Sequence, residues 1–255
     1  MNTNNPTKIN RLLQKQPPGT VFLSSWMEKQ GISRELQKRY KTGGWLESIG
    51  TGAMIRKGDK VNWLGALYSL QQQSAYEVNI GGLTSLSMQG KAHYLEFDRQ
   101  KIFLFAPRGT KLPAWFKKFN WSIKPVLYNT NVLPSDIGLT EIEVKSFSVK
   151  VSNPARALLE CLYLTPHRFN LTESYQLLEG MTTLRPVLVQ QLLENCNSIR
   201  VLRLFLYMAD KSGHTWFKHL DLHKMNLGNG KRSLVNNGVY IPEYQITVPT
   251  ELVNL

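Results

Sequence analysis

The sequence predicts an α+β protein built in two parts, and three observations carry that prediction. Within residues 1–60, short helical segments are followed by two β-prone stretches around a glycine turn. Beyond them, apolar residues switch repeatedly between the strand period of two and the helix period of about 3.6. At 255 residues, the chain is long enough for two domains. The order within residues 1–60 is that of a winged helix-turn-helix. The remainder reads as one larger mixed α/β domain. The boundary is placed after a connector helix, dividing the chain into residues 1–73 and 74–255.

Each element has a local reason. Pro6-Thr7 opens a first helix carrying Ile9, Leu12 and Leu13 at helical spacing. "PPG" at 17–19 ends it, because proline lacks the amide that a helix interior needs. Thr20-Val21-Phe22 is β-prone. Ser25 with Glu28 forms a capping-box pattern for a second helix carrying Trp26 and Met27, which Gly31 breaks. Ser33 caps a third helix that ends at Gly43-Gly44. "WLESI", "GTG" and "AMIRK" then read as strand, turn and strand. A helix from Asn62 to Gln73 joins this module to the rest. Further strands are expected at "YEVNI", "KIFLFA", "SIKPVLYN", "EIEVKSFSVKVS" and "YQITVP". Helices are expected at "GGLTSLSMQG", "PAWFKKF", "PARALLECLYL" and "TESYQLLEGM", with one long apolar-periodic run from Leu184 to Ala209.

Charge narrows the function classes. The formal net charge is +13, which suggests an anionic partner. Residues 1–60 hold eleven Lys/Arg against four acids, and residues 200–235 hold seven against two. No stretch approaches a membrane span, since the best apolar run, Val201 to Ala209, is short and contains Arg203. "MNTNNPTKIN" has no apolar signal-peptide core. Cys161 and Cys196 stand alone with no metal-type spacing and read as reduced, buried thiols. The expectation is a cytoplasmic protein without a membrane partner and without a cofactor.

On a helical wheel at about 100° per residue, the third helix sorts into two faces. Ile32, Leu36 and Tyr40 fall on one side. Arg34, Gln37, Lys38 and Lys41 fall on the other, at i, i+3, i+4 and i+7. Arg and Gln suit guanine and adenine edges, and Lys suits phosphate. The hairpin adds Arg56, Lys57 and Lys60 where a wing would meet the backbone. The DNA-contact residues expected from this pattern are Ser33, Arg34, Gln37, Lys38, Lys41, Arg56 and Lys57. Tyr40 and Trp45 read as interior, which argues against stacking on single-stranded RNA. A second nucleic-acid or antitoxin surface is assigned to Arg200, Arg203, Lys231 and Arg232.

Other chemistry is weaker. "HTWFKHLDLH" places His214, His219, Asp221 and His223 close together, but without a second ligand pair it reads as a polar surface, and no metal is assigned. "LGNGKRS" lacks the glycine of a phosphate-loop signature, where Met225 stands, and reads as a loop entering a strand. Gly50-Thr51-Gly52 reads as the wing turn. Glu96 with Asp98 and the two acids of "EIE" are the tight acidic pairs that a nuclease would need. No nucleophile and base can be paired from spacing, so no catalytic residue is named and the chain is read as a non-enzyme.

Taken in order, "RYKTGGWLESIGTGAMI", "WLGALYSLQ", "GGLTSLSMQGKAHYL", "SNPARALLECLYL" and "LGNGKRSLVNNGVYIPEYQITVP" resemble the AbiEi family, the antitoxin and transcriptional regulator of type IV toxin–antitoxin systems of the abortive-infection type. The stretches span both halves of the chain. The resemblance implies a winged helix that represses its own operon at inverted repeats in double-stranded DNA. It also implies a C-terminal domain that counters a nucleotidyltransferase toxin without a stable complex. DNA contact would fall on the helix after Gly31 and on the wing from Gly50 to Lys57. The competing readings are a nuclease-like enzyme targeted by a winged helix, a solitary regulator, and a protein whose basic faces bind an acidic partner.

Overall fold

The computed structural model describes residues 7–74, 76–92 and 101–255. The chain opens with α1 (Lys8–Lys15), β1 (Phe22–Leu23), α2 (Ser24–Lys29), α3 (Arg34–Thr42), β2 (Leu46–Gly50), β3 (Ala53–Arg56) and α4 (Trp63–Gln73). Side-chain caps start three of these helices. Thr7 accepts the Asn10 amide, Ser33 that of Leu36 and Asn62 that of Gly65, each worth about 1 kcal/mol. The Ser25–Glu28 capping box does not form. α2 begins two residues earlier, with Leu23 in the cap position and no side-chain cap, and Glu28 instead pairs with Arg34. Gly44 (φ +74°) turns the chain out of α3 in the left-handed region that glycine enters without strain. The strands form an antiparallel sheet in the order β1-β3-β2. Ile9, Leu12, Phe22, Met27, Ile32 and Leu46 are buried together beneath the helices.

The middle of the chain supplies β4 (Asn79–Ile80), α5 (Gly82–Met88), β5 (Lys101–Ala106), α6 (Ala114–Lys118), β6 (Lys124–Asn129), β7 (Leu139–Val144) and β8 (Phe147–Ser152). They build a mixed five-stranded sheet in the order β6-β5-β4-β8-β7. Its central pair β4/β8 is parallel, and its β7/β8 edge is antiparallel. Helices α7 (Pro154–Leu164), α8 (Leu171–Glu179), α9 (Pro186–Glu194) and α10 (Ile199–Lys211) follow. The single apolar run expected from Leu184 to Ala209 is therefore two helices, because Ser198 caps a new one by accepting the Val201 amide. After two short 3₁₀ turns come β9 (Arg232–Ser233), β10 (Val239–Ile241), β11 (Ile246–Val248) and α11 (Thr250–Asn254). Both cysteines are free and buried.

Helix α4 faces two ways. Val21, Leu23, Ala53 and Ile55 of the N-terminal sheet share one apolar cluster with Leu67 and Leu70 of α4, and that cluster continues into Ile80, Leu104, Phe116 and Val151. The polar side chains of α4 act as substitute strands. The Val21 amide donates to Ser69 Oγ (2.9 Å) and the Leu23 amide to Gln73 Oε1 (2.8 Å), while Gln73 Nε2 donates to Val21 O (2.6 Å). On the other side, Gln71 accepts the Lys150 amide at 2.9 Å and donates to Val78 O at 2.8 Å. The helix sits so close to the first module that a Cβ at Gly65 would overlap the carbonyl oxygen of Gly19.

Two buried charged groups organise the rest. The Glu160 carboxylate, 1% exposed, accepts from the Gly82 amide (2.8 Å), Ser152 Oγ and Arg156 Nε (2.9 Å). Burial pushes its pKa up, opposed by Arg156, the Gly82 amide and Ser152. Arg203 of α10, 0% exposed, donates to the carbonyl oxygens of Leu227 (2.8 Å), Gly228 (3.0 Å), Gly230 (2.7 Å) and Gln245 (2.8 Å). One guanidinium thereby ties the glycine-rich loop and the entry to β11 onto α10.

Two outcomes test this packing. Gly65→Ala is expected to lower unfolding stability by about 1–3 kcal/mol, the usual cost of overpacking, read from a shift in the urea midpoint. Arg203→Met, which leaves the Leu227, Gly228 and Gly230 carbonyls without the guanidinium while Gln245 O keeps the Arg232 amide, is expected to cost about 3 kcal/mol. It should also raise proteolytic cleavage between Leu227 and Ser233 relative to the rest of the chain.

Candidate nucleic-acid interface

Helix α3 presents its charged side chains outward. Arg34, Lys38, Arg39 and Lys41 are all exposed, and the Arg34 side chain is 83% accessible. Arg34 Nε pairs with Glu28 Oε1 at 2.7 Å. An exposed pair of this kind is worth at most about 1 kcal/mol, so Arg34 is cheaply exchanged to a stronger anion. Ser33 is exposed and occupied as the cap of the helix, accepting from the Leu36 amide at 3.3 Å.

Gln37 does not join this face. It is 2% exposed, its Nε2 donates to Ile32 O (3.0 Å) and Ser24 O (3.2 Å), and its Oε1 accepts from Ser24 Oγ (2.6 Å). The amide is a clamp between α2 and α3, not a reader of base edges. The buried arc of α3 is thus rotated toward Gln37, leaving Leu36 and Tyr40 half-buried and turning Arg39 outward. A helical wheel does not single out Arg39. The signal available was the serine at position 24, a hydrogen-bonding partner one helix away.

Arg56 is half-buried, and its Nη2 donates to Leu13 O (2.8 Å) at the end of α1. Among the described residues, its Nε is buried without a hydrogen-bond partner. Arg56 holds α1 to β3 and is not presented to a phosphate. Lys57 is exposed, its ammonium lying beside Gly44 at the end of α3. These cations sit at the base of the hairpin, where the Lys57 amide donates to Trp45 O at 3.0 Å, and the turn Gly50–Gly52 carries no charge. Trp45, expected inside, is 49% exposed. Leu46 faces the core, and the strand alternation sends its neighbour outward.

The second surface dissolves in part. Arg203 is buried among the carbonyls of the 227–230 loop. Arg200 donates to Thr165 O (2.8 Å) and Tyr163 O (2.9 Å), capping the end of α7. Both guanidinium pKa values are lowered chiefly by burial. Lys231 and Arg232 are exposed, with the Lys231 ammonium 4.6 Å from the Tyr240 ring centroid. The "LGNGKRS" loop offers its carbonyls to a cation, the reverse of the amide cradle that a phosphate needs. His214 is buried against Leu178 O at 2.8 Å and stacks on Trp216, whereas His219, Asp221 and His223 are exposed. Among the described residues, no group of three or more His, Cys, Asp or Glu side chains converges. Glu96 and Asp98 lie outside the described residues.

Among the described residues, no helix is long and apolar enough to cross a membrane. No curated protein matches the chain. The crystal structure of the RV2827C protein from Mycobacterium tuberculosis is similar in fold, with a TM-score of 0.58 at 14% identity, covering 96% of this chain and 92% of that one. Residues 5–97 match the family model described as the AbiEi antitoxin N-terminal domain of a transcriptional regulator. Residues 99–249 match the model described as a transcriptional regulator, AbiEi antitoxin, of a type IV toxin–antitoxin system. A smaller N-terminal part and a larger C-terminal part of mixed α+β structure fit that division, and the chain belongs to the AbiEi family of antitoxin transcriptional regulators of type IV toxin–antitoxin systems.

Proposed function

We propose that the N-terminal module is a winged helix-turn-helix that binds double-stranded DNA at inverted repeats in its own promoter and represses it. The observation that carries this reading is the outward face of α3, where Arg34, Lys38, Arg39 and Lys41 stand together, extended by Lys57 beside its C-terminal end. Four cations on a nine-residue helix match the backbone and base-edge contacts of a major-groove helix. The contact set is Ser33, Arg34, Lys38, Arg39, Lys41 and Lys57. Gln37 and Arg56 support it from inside.

The chain further acts as an antitoxin against a cognate nucleotidyltransferase toxin, without a stable complex. DNA binding resides in residues 1–73 and toxin opposition in residues 74–255. Because the core around α4 spans that boundary, the division is one of function, tested with point variants of the full chain. Lys231 and Arg232 remain exposed as a second anionic-partner surface on the C-terminal part.

The measurement is anisotropy of a labelled duplex from the upstream region, titrated across salt concentrations. Lys38→Ala/Lys41→Ala is expected to weaken binding and flatten the log–log salt slope by about 0.9 for each phosphate no longer neutralised. Gln37→Ala is expected to lower stability by about 1–3 kcal/mol through the polar groups it leaves unpaired, with no relaxation of base preference in the folded fraction. Unchanged duplex affinity in the double lysine variant overturns the α3 assignment. Co-expression with the toxin separates the second role. Lys38→Ala/Lys41→Ala is expected to derepress the operon yet still protect cells.

A further inference from the structure

A third cationic region lies between the two clusters that charge counting identifies. Residues 101–135 contain six Lys/Arg and no acid. Acids on both sides dilute this excess, so that residues 61–199 hold 13 Lys/Arg against 10 acids. The fold gathers part of it into one groove of about 650 Å³ between α6 and the start of β6. Lys111, Lys117, Lys118 and Lys124 line it, all exposed, together with the rings of Phe119 and Trp121. Among the described residues, no carboxylate lines it.

The rings are held in place. Phe119 and Trp121 lie 4.4 Å apart between centroids, and Trp121 packs on buried Phe116 at 5.5 Å. Trp121 Nε1 donates to Phe116 O at 2.7 Å, so the polar end of the indole is already satisfied and the half-buried ring offers apolar surface. Helix α6 is itself anchored, since Trp115 is buried and its Cβ lies against Gly50 of β2. β6 is an edge strand, and it begins with Lys124 and Pro125. Both residue types discourage the addition of another protein strand.

We propose that this groove binds a single-stranded nucleic acid, its phosphates on the four lysines and its unpaired bases against Phe119 and Trp121. Fixed rings flanked by cations are what strand binding without base reading requires. A duplex keeps its base faces stacked away from such rings. The site is separate from α3 and goes beyond the duplex binding proposed for that helix.

The test uses the full-length protein and labelled octamers, dT8 and rU8, beside the promoter duplex. Lys117→Ala/Lys118→Ala/Lys124→Ala is expected to lose single-strand affinity and to reduce the salt slope by about 0.7 for each phosphate released, while keeping duplex affinity. Phe119→Ala is expected to lose about tenfold or more. Lys38→Ala/Lys41→Ala should show the opposite pattern, so failure at one site is distinguishable from failure at the other. Binding of either octamer supports the groove, and a preference between them identifies RNA or DNA as the strand. Wild-type octamer affinity in both the triple variant and Phe119→Ala overturns it. So does equal competition by a duplex without the promoter sequence, or retention of an acidic peptide but neither octamer.

Discussion

The structure depends on the way α4 satisfies backbone groups on both of its sides. β1 has one strand neighbour, so its other edge would leave the amides of Val21 and Leu23 buried without partners. Ser69 and Gln73 supply the missing bonds, and Gln71 does the same for Val78 and Lys150 of the central sheet. A buried amide without a partner costs about 1–3 kcal/mol. The three side chains therefore do more than decorate a helix. They fix the register of the N-terminal sheet against the five-stranded one, and Gly65 permits the close approach that brings them within reach. The orientation of α3 rests on this docking, since α3, β2 and β1 belong to one small module.

Charge is divided between structure and surface in a way that composition conceals. Arg203, Arg200, Arg156 and Arg56 all turn inward and bind carbonyl oxygens or a carboxylate. The planar guanidinium, with its several donors, suits this role, and lysine does not. Lysines make up most of what is presented to solvent at α3, at Lys57 and along the groove beside α6. The surfaces proposed to meet anionic partners are mainly lysine, a residue suited to phosphate. Arg34 and Arg39 are the arginines on α3 placed to do more than neutralise charge.

The family and the geometry bear on different questions. Membership in the AbiEi family supplies the biological role of antitoxin and regulator. The coordinates supply the surfaces through which such a role would be exercised. α3 offers a convex, charged helix for a duplex. The groove beside α6 offers a concave site with fixed rings. Shape separates them more clearly than charge does, since both are basic.

Local rules in the sequence determined the elements. Ser33 and Asn62 announced helix starts, Gly43-Gly44 an end, and alternating apolar residues the strands at 101–106 and 147–152. These signals act within a few residues and need no distant partner. Arg34, Lys38 and Lys41 were legible as a stripe for the same reason. Only the tertiary structure decided which polar side chains would be buried. Gln37 is drawn inside by Ser24 and Ile32, Arg56 by the carbonyls closing α1, and Arg203 by oxygens at 227, 228, 230 and 245. Trp45 goes the other way, because Leu46 takes the inward position. The groove beside α6 was equally hidden, since its cations are diluted along the chain by the acids on either side. A helical wheel assumes that polar means outward. A buried hydrogen-bond partner from another element reverses that, and no window of sequence contains both groups in their final geometry.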